Sequence, residues 1–140
     1  MTETKPAATQ AATALPKIGE AFHGGIYAGI TTGKDGVPYA LIVLTHVSAS
    51  DLTWKQAMKF AADLGGDLPS RPEAALLFAN LKDKFEPTWY WTNEEFSKTS
   101  AWCQGFSYGD QSIYYEGYEL SARAVRRLVI QSFVPFEVAK

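Results

Sequence analysis

The chain has 140 residues, enough for one hydrophobic core and too few for two substantial ones. It is 46% hydrophobic and 20% charged, and 13 Lys+Arg against 15 Asp+Glu leave a formal net charge of −2, without the basic excess of a nonspecific nucleic-acid binder. A single cysteine, Cys103, excludes an intrachain disulfide and any multi-cysteine zinc site, and two histidines leave little for a histidine-built centre.

Met1 to Pro16 is mostly Ala, Thr and Pro, a composition that buries too little apolar surface to offset its ordering entropy, and is expected to be a flexible arm. A single domain is expected over residues 17–131, followed by a tail at 132–140 that carries Phe133-Val134-Pro135-Phe136. Gly24–Thr31 and Val37–Thr45 read as strands of an N-terminal hairpin, joined by the Gly-rich turn Thr32–Gly36. Two helices follow. Thr53 with Gln56 forms a capping box, Trp54, Ala57, Met58, Ala61 and Leu64 fall at helical spacing, and Gly65-Gly66 ends the run. Ser70 with Glu73 repeats the device, with Pro72 in the first turn and Ala74, Leu77, Phe78 and Leu81 as the buried stripe.

After Lys84 the character changes: eleven of nineteen aromatic residues lie between Phe85 and Tyr118. Short strands are expected at Trp89–Thr92, Ala101–Ser107, about Ser112–Tyr115 and Ala122–Ile130. The order predicts an α+β fold, with two amphipathic helices packed on a small antiparallel sheet and a Tyr/Trp-rich, irregular C-terminal half. In Trp89-Tyr90-Trp91, alternation puts both indoles on a core face and the Tyr90 phenol on an outward one. Arg126 or Arg127 is expected to pair with Glu94, Glu95 or Asp110.

Leu68-Pro69-Ser70-Arg71-Pro72-Glu73, Trp89-Tyr90-Trp91-Thr92-Asn93-Glu94, Ala101-Trp102-Cys103-Gln104-Gly105-Phe106 with Gly109, and Ala122-Arg123-Ala124-Val125-Arg126-Arg127 together resemble the C-type-lectin-like domains of bacteria and phages. The resemblance spans roughly residues 18–131 and is nearest to the phage and prophage family related to the terminal domain of the Lcl collagen-like adhesin. More distantly, the chain resembles formylglycine-generating enzymes and the variable proteins of diversity-generating retroelements. It implies a C-type-lectin-like fold, a scaffold that displays many different sites.

The enzymatic branch of that resemblance requires paired thiols, which Cys103 alone cannot supply; Cys103 reads as a small buried residue. Calcium-dependent sugar binding requires a dense set of oxygen ligands, and Glu86-Pro87-Thr88 has Thr88 in place of the amide. His23 and His46 carry no carboxylate motif beside them, and no nucleophile elbow or phosphate loop is present. No cofactor, metal or catalytic residue is expected.

What remains is a recognition surface. Tyr108, Asp110, Ser112, Tyr114, Tyr115, Glu116 and Tyr118 combine rigid rings with adaptable polar groups, as recognition loops do. In the retroelement relatives the comparable region carries the ligand surface, which the resemblance implies for these residues. The expected function is therefore a non-enzymatic phage or prophage protein, virion-associated as a tail, fibre or head-decoration component, that binds a protein or glycan. The alternative is an intracellular effector that binds and inhibits a host or defence protein. No apolar run reaches the about 18 residues of a membrane helix, and no signal-peptide pattern opens the chain, so the expected location is the virion or the host cytoplasm. Residues 1–16 would contact other virion proteins or, with the Phe-rich tail, a second copy in a homo-oligomer. Neither nucleic acid nor membrane insertion is expected.

Overall fold

The computed structural model describes residues 15–130; residues 1–14 of the arm and the whole tail lie outside the described residues. In chain order the elements are β1 (Ala21–Phe22), β2 (Gly25–Thr32), β3 (Pro38–Leu44), α1 (Trp54–Asp63), α2 (Arg71–Leu81), a 3₁₀ turn (Lys82–Lys84), β4 (Trp89–Glu95), β5 (Ser100–Gly105), β6 (Gln111–Tyr115) and β7 (Val125–Val129). They form an α+β fold with two antiparallel sheets, ordered β1-β2-β3-β7 and β4-β5-β6.

The local signals act where the sequence carries them. In the β2–β3 turn, Gly33 N–H donates to the Val37 carbonyl and Gly36 N–H to that of Gly33. Both capping boxes form: Thr53 accepts from Gln56 N–H while Gln56 accepts from Thr53 N–H, and Ser70 and Glu73 reciprocate in the same way. Gly65, at φ +77°, takes the left-handed conformation that ends α1.

Leu15 packs on the cluster of Tyr27, Ala40 and Ile130. Two expectations about packing are corrected. First, α2 is not a helix with a polar outer face. It touches β2, β4 and β5, and its exposed positions are Pro72, Ala75 and Ala79 rather than charged residues. Second, the Tyr90 phenol does not face solvent. Strand β4 separates two clusters, with Trp91 packed among Ile42, Leu44, Trp54 and Leu68, and Tyr90 among Leu41, Val43, Leu77 and Phe106. Each ring satisfies its polar atom inside: Trp91 Nε1 donates to the Leu52 carbonyl at 2.8 Å, and the Tyr90 hydroxyl accepts from Glu86 N–H at 3.0 Å. Strand β3 is covered on both faces in the same way, Leu41 and Val43 on one side and Ile42 and Leu44 on the other. The aromatic half is correspondingly built on a three-stranded sheet, with a register shift between Trp91 and Glu95 where β4 meets β5.

The arginines expected at the closing strand also find other partners. Arg126 donates to the His23 carbonyl and Arg127 binds Glu73 and Asp67, whereas Glu94 accepts from the backbone N–H of Arg71. The β3–β7 register decides this. Leu41 opposite Arg127 brings the guanidinium over the start of α2, away from Glu95 and Asp110.

Candidate functional site

Two surfaces gather functional groups. The first is a cleft of about 980 Å³ between the β2–β3 turn, the first turn of α2 and the end of β7. Glu73 is fully buried at its base. One carboxylate oxygen accepts from Ser70 N–H and Arg127 Nη2 at 2.8 Å each, while the other accepts from Arg127 Nε at 2.6 Å and from the Tyr39 hydroxyl. Four donors fill the four acceptor sites of a carboxylate. Burial raises the Glu73 pKa, but the bonds from Arg127, Tyr39 and Ser70 outweigh it and hold the group below its ordinary value. Burial and the adjoining carboxylate push the Tyr39 phenol up to about 12, and the two carboxylates keep Arg127 firmly protonated. A carboxylate so saturated has no lone pair left for a substrate proton, and a phenol so raised is no base at neutral pH. The cluster is a clamp joining β3, β7 and α2.

On the far wall the Arg71 guanidinium sits over Trp102, its carbon 3.4 Å from the ring centroid. Its Nε donates to Gln111 Oε1 at 2.9 Å, and Gln111 donates in turn to the Arg71 carbonyl and to Gln104. Sequence reasoning missed this cleft, since its walls come from segments as far apart as Thr31 and Val129, drawn from both sheets and α2.

The second surface carries the residues expected from sequence. Tyr114, Tyr115 and Tyr118 come together: Tyr114 leans on Trp89 with centroids 5.4 Å apart, and Tyr118 stands edge-on to both other tyrosines at 5.9 Å. Tyr114 is half-buried, whereas Tyr115 and Tyr118 are each 57% exposed. Glu116 sits beside them. Burial and then neighbouring Glu95 raise its pKa, and its buried Oε2 has no hydrogen-bond partner. Ser112 is half-buried, and its carbonyl accepts from the Cys103 thiol at 3.4 Å. Tyr108, 90% exposed, and Asp110, also exposed, lie at the opposite end of β6 and do not join the tyrosine group.

Cys103 is buried, and burial pushes its thiol up to about 12, a pKa incompatible with a nucleophilic thiolate. His23 packs edge-on to Phe22 and His46 lies against Phe60. Among the described residues no three His, Cys, Asp or Glu side chains are grouped to hold a metal ion, and no helix is long and apolar enough to cross a membrane. No family model matches the chain, and no curated protein matches it.

Proposed function

We propose that this chain is a non-enzymatic binding module of phage or prophage origin, with a C-type-lectin-like fold, carried on the virion as a tail, fibre or decoration component. It takes a protein or glycan ligand through the face formed by Tyr114, Tyr115 and Tyr118. One observation carries the reading: three tyrosines form a mutually braced array, anchored on Trp89, that leaves two large rings in water. Rings fixed before contact lose little entropy on binding and supply wide amphipathic area, the property of interface anchors. The order of three strands, two helices and four strands, the two antiparallel sheets and the resemblance of residues 18–131 support the fold assignment.

Quantitative mass spectrometry of gradient-purified particles beside lysate from the same infection tests the location. Fixed copy number in particles is expected, and abundance in lysate alone would replace the virion reading with the intracellular effector. For the face, the double variant Tyr115→Ala, Tyr118→Ala is expected to fold normally and to lose attachment of the isolated protein to host cells. Undiminished attachment would remove the tyrosine face from the site.

A further inference from the structure

Among the described residues strand β6 ends its sheet, and no strand pairs with its outer side. The β5–β6 ladder fixes which groups look outward. Gly105 N–H donates to the Asp110 carbonyl at one end and Glu116 N–H to the Thr99 carbonyl at the other, and the register between them is uninterrupted. Antiparallel pairs alternate between bonded and non-bonded. Ser112 and Tyr114 therefore spend their backbone groups on β5, while Gln111, Ile113 and Tyr115 turn their N–H groups away from it. The Tyr115 carbonyl confirms this direction, because it accepts from Tyr118 N–H outside the sheet. Among the described residues nothing accepts from the N–H groups of Gln111, Ile113 or Tyr115.

The strand and its flanking segments are acidic, and the cations that reach them, Arg71 at Gln111 and Lys55 near Glu116, come from the α2 and α1 side. From Gln104 to Ser121 the chain has Asp110, Glu116 and Glu119 and no lysine or arginine. A second copy fits poorly: antiparallel pairing centred on Ile113 would set Asp110 of one chain opposite Glu116 of the other, like against like. We propose that the β6 edge takes an extended, basic segment of a partner protein as a fourth strand of the β4-β5-β6 sheet. Main-chain bonds at Gln111, Ile113 and Tyr115 supply the pairing. Arg or Lys at alternate positions meets the carboxylates and the exposed rings of Tyr115 and Tyr118. This rests on the proposed binding face and specifies its partner and its mode.

The test uses the full chain and an array of octapeptides with Arg or Lys alternating with Val or Thr, beside a matched array with Glu in place of each basic residue. Retention of the basic set at least tenfold above the acidic set is expected. Slowed exchange of the Gln111, Ile113 and Tyr115 amides of the unaltered protein should accompany it, with Ser112 and Tyr114 unchanged. Ile113→Pro deletes one outward N–H without touching the β5 ladder and should lower retention at least tenfold, whereas Ile113→Val should preserve it. Equal retention of both arrays would overturn the proposal, and so would free exchange of the three amides with peptide bound. A dimer dissolved by Ile113→Pro would put a second copy on the edge, and protection of the amides without peptide would put the chain's own outer segments there; either outcome also overturns it. If Ile113→Pro keeps host-cell attachment that Tyr115→Ala, Tyr118→Ala loses, strand addition falls and the binding face stands. If the tyrosine variant also attaches normally, the binding face falls with it.

Discussion

Two five-residue strands, β7 and β6, each end a sheet, and they end it differently. The outer side of β7 is held at its start. Val125 exchanges both backbone bonds with Asp67, and Arg127 reaches across to Glu73, Asp67 and the Leu68 carbonyl. Asn93 adds a bond to Asp67 from β4. Among the described residues the outer side of β6 has no such cover, and Tyr115, Tyr118 and Glu116 lie beside its end. An unprotected edge is a hazard that proteins ordinarily suppress. Among the described residues one edge is held at its start by backbone bonds and an ion-paired cluster, and the other carries no such contact; in the proposed reading that second edge is the one that binds.

The largest effect should come from breaking the sealed edge at its centre. Glu73→Ala strands the Arg127 guanidinium and is expected to cost about 3 kcal/mol in urea unfolding, toward the low end for a broken buried pair. The reason is that Arg127 keeps a third of its side chain in water and can be rehydrated. A loss under about 1 kcal/mol would deny Glu73 its role as the clamp. Asp67→Ala removes the acceptor of Arg127 Nη1 and of Asn93, and about 1 kcal/mol is expected by the same measurement.

The two edges should also titrate in opposite senses. The folded-state pKa of Glu73 lies below the ordinary 4.5, so its contribution is complete above that pH and is lost as the pH falls through the folded value. Glu116 has a raised folded pKa, so its charge works against the fold at neutral pH and is relieved on acidification. Stability measured across this range should therefore fall less steeply with acid in Glu73→Gln than in the unaltered chain, and Glu116→Gln should raise stability at pH 7. Parallel pH profiles for Glu73→Gln and the parent chain would contradict the first half of this contrast. The smallest effect belongs to the open edge: Tyr115→Ala, Tyr118→Ala should shift stability by about 0.5 kcal/mol or less, since both rings are mostly in water.

The helices and the hairpin were legible because their determinants are local. Thr53 and Gln56 lie three residues apart, as do Ser70 and Glu73, and a Gly-rich turn lies between two apolar runs. The tyrosine group was legible in part, since Tyr114, Tyr115 and Tyr118 are near in sequence, but Tyr108 was separated from them by the length of β6. What alternation could not reveal is what covers each face. It separated Tyr90 from Trp91 correctly, yet both faces of β4 are buried, because α2 crosses the face that a two-layer domain would leave wet. The partner of Arg127 lay 54 residues away, and only the β3–β7 register selects Glu73 over Glu94, Glu95 or Asp110.

That register pairs Tyr39 with Val129, so a central strand made early in the chain gains its neighbour only ninety residues later. During synthesis, β3 must wait with one flank bare until nearly the whole domain has left the ribosome. Arg123 makes the wait decisive: its guanidinium holds the carbonyls of Leu44 and Lys84 and stacks on Phe85, tying the end of β3 to the approach to β4. A nascent chain halted before this point would display an apolar strand, Ala40-Leu41-Ile42-Val43-Leu44, paired with β2 but bare on the flank that β7 takes. The sheet is thus completed only once β7 has been made, and products cut short before it would keep that apolar flank exposed, as substrates of chaperones and proteases do.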